Sequence, residues 1–401
     1  MAKEKIVLAY SGGLDTSIAI PWLKENYGAQ VIAYTADLGQ IKDRKKIHDK
    51  ALATGAKKFY LEDLREKFLK DFAFKALAAS ALYEGKYPLI SALSRPLIAQ
   101  RMAEIAREEG ATALAHGSTG KGNDQVRFEL GFKALAPELK IIAPAREWEF
   151  KSREEEIVYS KKKGIPIFAT KKSPYSLDKN LWGIAIECGV LEDPWREPPE
   201  DAYQMTISPK KSPDRERYLE IEFKKGIPAK LSGKGYSPVA LLERLNKIGG
   251  ENGIGRIDLV ENRLVGIKSR EVYEAPGAMI LYQAHDALER LVLDRETFRY
   301  KALISERYSQ LIYNGLWFSP ERKALEKFVA ATQSKVSGTV RLKLYKGNII
   351  IAGRKSLFSL YQKNLATYSE EDLFDQKAAK GFIDLYGLPM KIMGMLGKKK
   401  K

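Results

Sequence analysis

The residues best suited to chemistry in this sequence form a glycine-containing stretch near the N-terminus. It reads Ala9-Tyr10-Ser11-Gly12-Gly13-Leu14-Asp15-Thr16-Ser17 and lies between an apolar run at 5–8 and a stretch with helical spacing at 18–23. A strand, a glycine turn and a helix in this order point several backbone N–H groups and the positive end of a helix dipole into one concavity. The glycines let a phosphate approach the backbone, the hydroxyls can bind it, and Asp15 can hold Mg²⁺. The stretch therefore predicts a phosphate-binding loop.

Two common nucleotide-binding patterns are absent from this first loop. It contains no lysine of the kind that grips a terminal phosphate, and it lacks the Gly-x-Gly-x-x-Gly spacing of dinucleotide folds. It resembles instead the Ser-Gly-Gly-x-Asp-Ser/Thr loop of the ATP pyrophosphatases, which cleave ATP to AMP and pyrophosphate. A strand-to-helix turn with two convenient glycines is the simpler alternative.

A second polar stretch also follows an apolar run and reads His116-Gly117-Ser118-Thr119-Gly120-Lys121-Gly122-Asn123-Asp124-Gln125-Val126-Arg127-Phe128. Arg127 is suited to clamp a carboxylate with both arms of its guanidinium. Asn123 and Asp124 can recognise an ammonium or amide group. A glycine-rich turn with Asn123 as a helix N-cap is the alternative. The stretch predicts a second ligand loop.

Apolar runs and helical patterns alternate through the first 170 residues, which predicts a parallel, doubly wound α/β sheet. The predicted strands lie at 5–8, 30–37, 57–61, 111–116 and 139–144. Ligands bind such sheets at the carboxyl ends of the strands, where Ser11, Ala36 and Gly117 would lie. Ser94 to Ala103 is predicted as a capped helix with Pro96 in its first turn, preceded by a turn whose Tyr87 and Ser91 can face a cleft.

The pattern changes class after residue 170. The amino-acid composition shifts at 171–176 and again at 193–199. Beyond these shifts we predict hairpins at 219–231 and 339–351. Between the hairpins we predict strands at 257–266 and 267–273 and helices across 279–313. We predict a nucleotide-binding domain at 1–170, an α+β synthetase domain at 171–365 for substrate binding and multimerisation, and a C-terminal helical tail at 366–401.

The tail has an amphipathic pattern. From Glu370 onward, Phe374, Ala378, Phe382 and Leu385 recur at helical spacing, which predicts a helix with one apolar stripe. A stripe of this kind needs a surface to cover, either on its own subunit or on a neighbouring one.

Composition and charge narrow the classes of function. The net charge is +17, but the basic residues are spread among 51 acidic ones and no aromatic residues interleave with them, which argues against nucleic-acid binding and favours an anionic substrate. Cys188 is the single cysteine and there are three histidines, so neither a disulfide nor structural zinc is expected. No apolar stretch approaches the roughly 20 residues of a membrane span, and no signal peptide precedes the first strand. We expect a cytoplasmic protein that does not associate with membranes.

With both loops in view, the chain resembles the argininosuccinate synthase family over its whole length. The matching stretches are 9–17, 32–40, 80–84, 116–129, 255–263, 268–270 and 273–274. The first loop marks only the wider pyrophosphatase class, whereas 117–127 together with 260–263 is far more particular to this family.

The resemblance implies a carbon–nitrogen ligase of arginine biosynthesis. Such enzymes join citrulline and aspartate through a citrullyl-adenylate, convert ATP to AMP and pyrophosphate with Mg²⁺, and are homotetramers whose terminal helices reach neighbouring subunits.

The resemblance also assigns residues to each substrate. ATP would contact Ala9, Tyr10, Ser11, Gly12, Gly13, Leu14, Asp15, Thr16, Ser17, Ala36 and Gly117, with Mg²⁺ on Asp15. Aspartate would contact Thr119, Asn123 and Asp124. Citrulline would contact Tyr87, Ser91, Asn123, Arg127, Ser176, Glu261 and Tyr273. Ser11, Asp15 and Asp124 are the catalytic candidates, and Asp124 either positions the aspartate amine or takes its proton. Ala185 stands where the family commonly has a second serine for citrulline.

Two rival functions are considered. Another AMP-forming ATP pyrophosphatase, such as an NAD or GMP synthetase or a tRNA-thiolating enzyme, would share the first loop. Thiolation and glutamine hydrolysis both need reactive cysteines, and the lone Cys188 does not supply them. The other rival is a basic nucleic-acid-binding protein with a decayed nucleotide fold.

Overall fold

Five apolar segments of the N-terminal part pair into one parallel sheet. The computed structural model describes residues 4–150, 152–166 and 175–398. The strands are β1 (Lys5–Ala9), β2 (Gln30–Asp37), β3 (Lys58–Asp63), β4 (Ala113–Ala115) and β5 (Lys140–Ile142). Their order is β3-β2-β1-β4-β5 and every neighbouring pair is parallel. The predicted doubly wound sheet is confirmed. Because β1 lies between β2 and β4, the loops after β1 and β4 leave the sheet at its switch point, where ligands bind such sheets.

Helices cover this sheet and connect its strands. They are α1 (Leu14–Tyr27), α2 (Arg44–Ala53), α3 (Arg65–Phe68), α4 (Phe74–Ala78), α5 (Ile90–Glu109), α6 (Asp124–Leu135), α7 (Pro144–Glu147) and α8 (Arg153–Lys162). Between α3 and α4 the chain forms a π-helical turn at Leu69–Ala73.

The predicted start of a helix at Ser94 is wrong, because α5 begins at Ile90 and Pro96 lies inside it. Leu89, with φ 62°, turns the chain into the helix. The Asn180 side chain donates to the Ile90 carbonyl and the Ser94 hydroxyl donates to the Ser91 carbonyl, both at 2.8 Å. The helix is largely buried, so packing outweighs the backbone bond that proline removes.

The second half of the chain is built on antiparallel strands. They are β6 (Ser176–Asn180), β7 (Gly183–Glu187), β8 (Arg217–Lys224), β9 (Ile227–Leu231), β10 (Lys234–Gly235), β11 (Arg256–Asn262), β12 (Lys268–Glu274), β13 (Gly338–Tyr345) and β14 (Asn348–Lys355). They form a four-stranded sheet of order β11-β12-β7-β6 and a five-stranded sheet of order β10-β9-β8-β13-β14. The predicted hairpins are confirmed. The strand predicted at 257–266 ends early, at Asn262, because residues 263–267 form a turn closed by a bond from the Arg263 N–H to the Ile267 carbonyl.

Four α-helices belong to this half of the chain ahead of the tail. They are α9 (Pro238–Glu251), α10 (Pro276–Val292), α11 (Arg295–Tyr313) and α12 (Pro320–Gln333). The apolar core runs continuously from α5 and the parallel sheet to α10 and β13, since buried residues of all of them belong to one cluster. Residues 1–358 accordingly form one compact unit. The predicted boundary at 170 and 171 falls at 167–174, which lie outside the described residues.

The second compact unit is the tail, Ser359–Lys401. It contains α13 (Lys363–Ala366), α14 (Ala378–Tyr386) and α15 (Leu388–Lys398). The helix predicted from Glu370 onward is wrong before Ala378. The Asp375 carboxylate accepts hydrogen bonds from the backbone N–H groups of Lys377 and Ala378, so it closes the chain into a turn where α14 starts. Among the described residues, no helix is long and apolar enough to cross a membrane.

A buried ionic network lies within the larger unit. The Lys301 ammonium, 2% exposed, lies 3.0 Å from the Glu289 carboxylate and donates to the Ser80 hydroxyl at 2.9 Å. The Gln333 side chain joins Glu289 to His285 through bonds of 2.6 and 2.8 Å. Burial disfavours the charged form of Glu289, but His285 and Lys301 outweigh it and lower the pKa of this carboxyl.

We expect Lys301→Met to lower the free energy of unfolding by about 3–5 kcal/mol, because it leaves the Glu289 charge buried without its cation. Urea denaturation followed by circular dichroism measures this loss. The double variant Lys301→Met with Glu289→Met is the control and should lose less, since it buries no unpaired charge. Equal losses in both variants would show that the ion pair itself does not matter.

Candidate active site

The first glycine loop is held by hydrogen bonds from its own hydroxyls. The Ser11 and Thr16 hydroxyls lie 3.1 Å apart, and the Gly13 N–H donates to the Ser11 hydroxyl at 3.2 Å. The Ser17 hydroxyl donates to the Gly13 carbonyl at 2.6 Å. Gly12 has φ 76°, a conformation that favours glycine. The loop is therefore preformed in the shape that presents the start of α1.

The N-terminus of α1 is open toward this loop. Gly13 is its N-cap, and no described side chain caps it. The first N–H groups of a helix have no partners within the helix, and the helix dipole adds partial positive charge there. An anion such as phosphate satisfies both, so the geometry fits the predicted phosphate-binding loop.

A lysine that the loop itself lacks comes from α2. The Lys50 ammonium donates to the Gly12 carbonyl at 2.6 Å. Its partial burial, with a smaller effect of Lys46, lowers its pKa. The ammonium offsets the partial negative charge of the Gly12 carbonyl oxygen, which would repel phosphate. Sequence spacing alone did not reveal it, because 38 residues separate the two.

A cavity of about 500 Å³ opens in front of the loop. Its walls come from the first loop, the end of β2, α5, the second glycine loop and β6. The lining residues with predicted roles are Ala9, Tyr10, Ser11, Gly13, Leu14, Asp15, Thr16, Ala36 and Gly117. Gly12 and Ser17 are not among the lining residues, and the Ser17 side chain is fully buried. The size suits a ligand held by one end in the loop.

The two glycine loops meet at Gly117. A Cβ atom at this position would lie 2.9 Å from the Thr16 side chain, so only a glycine lets the loops approach this closely. The side chain of Asn123 does not cap α6. Its amide oxygen instead accepts from the Leu264 N–H at 2.9 Å, and its nitrogen donates to the Tyr313 hydroxyl at 2.8 Å. The alternative of a simple helix cap at Asn123 is thus wrong.

Asp124 lies between two guanidinium groups. Arg95 donates to one carboxylate oxygen at 2.6 Å and Arg127 to the other at 2.8 Å. Burial raises the pKa of Asp124, but the charges of Arg95 and Arg127 outweigh it and hold the pKa at about 2. Asp124 is therefore ionised at neutral pH and is a weak proton acceptor.

Arg95 links this group to the cavity. It lines the cavity wall and also donates to Asp178 of β6. Its Nε is buried and has no hydrogen-bond partner among the described residues. An unpaired buried donor costs free energy.

A closed cluster of aromatic rings surrounds Glu261. Its carboxylate, 3% exposed, accepts hydrogen bonds of 2.5 Å from the hydroxyls of Tyr273 and Tyr313. The ring of Tyr87 stacks on Tyr273 at 4.2 Å. Burial raises the pKa of Glu261, and the two tyrosine hydroxyls act in the opposite direction. A buried carboxylate in an aromatic cluster is suited to bind an ammonium group.

The predicted citrulline residues of the second sheet share one face. Tyr273 pairs with Ala185, which pairs with Asp178, and Ser176 pairs with Glu187 two residues further along the same strands. Paired residues, and residues two apart, point to the same side of a sheet. Ser176 therefore lies on the face that carries Tyr273, and Ala185 places only a methyl group between Tyr273 and Asp178.

Three more predicted site residues are Ser91, Thr119 and Arg127. Ser91, buried in the first turn of α5, donates its N–H to the Tyr87 hydroxyl at 3.0 Å. Thr119 is exposed in the second glycine loop. The Arg127 guanidinium does not have both arms available to clamp a ligand carboxylate. Its Nε donates to the Tyr313 carbonyl at 2.9 Å, and its Nη1 donates to Asp124. The structure brings Asn123, Asp124, Arg127, Tyr87, Glu261 and Tyr273 together.

Asp15 has a second carboxyl beside it. Glu156 of α8 lies within hydrogen-bonding reach of Asp15, and burial together with the Asp15 charge raises the pKa of Glu156 to about 7. One or two carboxylates with phosphate oxygens are a usual Mg²⁺ environment, so these donors fit that ion. Among residues 4–150, 152–166 and 175–398, no three His, Cys, Asp or Glu side chains converge on a metal site.

Sequence reasoning missed four residues of this site: Arg95, Asp178, Tyr313 and Lys50. Arg95 carries one signal, because it is the single charged residue in the stretch 90–100. Tyr313 precedes Asn314-Gly315, an ordinary helix end, and nothing in its neighbourhood distinguishes it. Tertiary contact alone gives these residues their place.

Comparisons with known proteins agree along the whole chain. Residues 5–166 match the family model described as arginosuccinate synthase N-terminal HUP domain, and residues 175–393 match the arginosuccinate synthase C-terminal domain. An argininosuccinate synthase from Caldanaerobacter subterraneus subsp. tengcongensis is 58% identical over 98% of this chain and 96% of its own length. One from Pelodictyon phaeoclathratiforme is 59% identical, covering 98% of both chains. One from Acetivibrio thermocellus is 58% identical over 100% of this chain and 99% of its own length.

We expect Lys50→Met to weaken ATP binding by about tenfold or more, because the first loop loses the hydrogen bond that holds its Gly12 carbonyl, and a bond from a charged donor contributes about 1.5–3 kcal/mol. Titration calorimetry with an ATP analogue measures the change. Lys45→Met is the matched control, since it removes the same charge from an exposed position of the same helix. An equal loss in both variants would mean that only the overall charge of α2 matters.

Proposed function

Because the chain belongs to the argininosuccinate synthase family, we propose that the cavity and the Glu261 cluster hold the three substrates of this reaction. The chain is an AMP-forming carbon–nitrogen ligase that converts ATP, citrulline and aspartate to argininosuccinate, AMP and diphosphate. The observation that carries this is about 58% identity to synthases along the full length. Neither a different ATP pyrophosphatase nor a nucleic-acid-binding protein is favoured by any observation.

The first chemical step activates citrulline. Its ureido oxygen forms a bond to the α-phosphorus of ATP, and the bond from that phosphorus to the bridging oxygen breaks, releasing pyrophosphate. Negative charge then grows on the leaving group. We assign the start of α1 and the Ser11 hydroxyl to stabilising it, since they are preorganised at the cavity. The Lys50 ammonium supports the same loop through the Gly12 carbonyl. Arg95, whose side chain lines the cavity, is the candidate to face the α-phosphate.

The second step joins aspartate. Its amine attacks the ureido carbon, the bond from that carbon to the AMP oxygen breaks, and a proton leaves the amine. We propose that Asp124 positions this amine and does not take its proton, because two arginines keep its pKa at about 2. Holding the amine beside the activated carbon removes most of the bimolecular entropy cost, at best about 7–11 kcal/mol.

Mg²⁺ fits the same scheme. Asp15 would hold it, with Glu156 as a second oxygen donor, and the ion supplies neutralisation of phosphate charge when it is bound. The residues of this chain that carry out each step are those named above.

The division between the amino acids follows the charges of the site. Glu261 suits the ammonium of citrulline, and Arg127 with Tyr87, Ser91, Asn123, Ser176 and Tyr273 completes its surroundings. Thr119, Asn123 and Asp124 form the aspartate side. The missing hydroxyl at Ala185 removes one contact that the family commonly makes, so any bond to citrulline there comes from the backbone.

The larger organisation follows the same proposal. We divide the chain into a nucleotide-binding domain at 1–170, a synthetase domain at 171–365 and a tail at 366–401, and we propose a homotetramer held by the tail. A cytoplasmic location stays a prediction.

Product analysis tests the proposed chemistry. With all three substrates we expect AMP and pyrophosphate, and citrulline labelled with oxygen-18 in its ureido group should deliver the label to AMP, because that oxygen leaves with the α-phosphate. Phosphorus NMR and mass spectrometry measure both. Reactions lacking either amino acid are the controls. ADP and orthophosphate would reject the assignment, and unlabelled AMP would remove the adenylate intermediate.

Truncation tests the role of the tail. Ala378, Phe382 and Leu385 give α14 an apolar face, so we expect a chain ending at Tyr368 to form smaller assemblies with weaker activity. Light scattering measures the assembly. A matched full-length variant, Phe382→Asp, should weaken assembly while keeping the tail length. A truncated protein that stays tetrameric would show that the tail does not hold the oligomer.

A further inference from the structure

Tyr313 makes hydrogen bonds or ring contacts with Glu261, Asn123, Arg127 and Tyr83, yet the substrate assignments do not include it. Tyr313 is the last residue of α11 and is fully buried. Its ring stacks on Tyr83 with 3.6 Å between centroids, and the Arg127 guanidinium lies 4.8 Å from the ring centre on another side. Gly315, with φ 76°, brings the following turn against the Arg127 backbone, where a Cβ atom would lie 2.8 Å from Cα. The ring therefore has a single position.

The Tyr313 hydroxyl has two partners with opposite roles. It donates to a Glu261 oxygen at 2.5 Å and accepts from the Asn123 amide nitrogen at 2.8 Å. Because a hydroxyl has one proton, the direction of this chain is set: amide to hydroxyl to carboxylate. The other end of the Asn123 side chain is occupied by the Leu264 N–H, which keeps the amide in the same orientation.

Successive hydrogen bonds in a buried series polarise one another. A change of charge at one end of the series therefore alters the strength of the hydrogen bond at the other end. A cation that binds Glu261 makes this carboxylate a weaker acceptor of the hydrogen bond from the Tyr313 hydroxyl. The hydroxyl then attracts the Asn123 amide less, and the amide becomes a better donor to another acceptor. Asn123 belongs to the second glycine loop, whereas Glu261 belongs to β11 of the four-stranded sheet.

We propose that the Tyr313 hydroxyl is a positioning residue that couples the citrulline site at Glu261 to the aspartate site at Asn123, so that each amino acid increases the affinity for the other. This inference rests on the proposed assignment of those two residues. The Tyr273 hydroxyl donates to the same Glu261 carboxylate but, among the described hydrogen bonds, makes none to Asn123. It therefore supplies a control within the same cluster.

The test compares Tyr313→Phe with Tyr273→Phe. Each variant removes one hydroxyl from Glu261 and keeps the ring. Calorimetry measures the citrulline Kd with and without saturating aspartate in the presence of α,β-methylene ATP, whose methylene bridge prevents the first step. The ratio of the two constants is the coupling factor, and the reverse titration must give the same factor.

We expect a factor of about fivefold or more in the unaltered enzyme, a factor near one in Tyr313→Phe, and a retained factor in Tyr273→Phe despite weaker citrulline binding. Asn123→Leu interrupts the same chain from its other end and should also bring the factor close to one. A retained factor in Tyr313→Phe, an equal loss in Tyr273→Phe, or no coupling in the unaltered enzyme would overturn the inference. Product formation by the unaltered enzyme separates this result from a failure of the proposed function.

Discussion

The carboxylate of Asp124, shared between Arg95 and Arg127, is the interaction on which the rest of the site depends. Arg95 comes from α5, Asp124 and Arg127 from α6, and the second bond of Arg95 reaches Asp178 on β6 of the other sheet. Arg127 is buried and the other two groups are partly buried, so these three charges of alternating sign stabilise one another, and removal of Asp124 would leave both arginines without this partner. The relative position of the nucleotide cavity and the amino-acid cluster is therefore set by electrostatics as well as by the apolar core.

The two halves of the site are preorganised in different ways. In the first loop, backbone N–H groups at the open start of α1 are left for the ligand. The Ser11, Thr16 and Ser17 hydroxyls make hydrogen bonds within the loop and hold its shape. The Glu261 cluster uses side chains, with stacked rings that fix the directions of two hydroxyls. Phosphates of ATP are recognised by many weak, oriented donors, whereas an ammonium or a carboxylate needs one strong partner of opposite charge. The difference in construction fits the two kinds of ligand that we propose for these places.

The parts of this protein that depend on local order in the chain were predictable. The first loop follows from glycines between a strand and a helix, and Asp124 with Arg127 follows from a spacing of three on one helix. The parts that depend on distant contacts were not. The loop lacks a lysine in sequence but receives Lys50 across 38 residues, and Arg127 receives the Tyr313 carbonyl across 186. Local rules also failed where burial outweighed them, as at Pro96 inside α5, and where a carboxylate competed with the helix, as at Asp375.

The closed state of the amino-acid site has a thermodynamic consequence. Arg127 is bound by Asp124 and by the Tyr313 carbonyl, and Glu261 is bound by two tyrosine hydroxyls. Each bond that a substrate would make here adds to, or replaces, a bond that the protein already makes, so the net gain in affinity is smaller than for groups without partners. The loss for an incorrect ligand is large, because a buried charge that gives up a partner and receives none pays the full desolvation cost. Such a site gains discrimination at the expense of affinity, which suits an enzyme that must distinguish citrulline and aspartate from other amino acids before it consumes ATP.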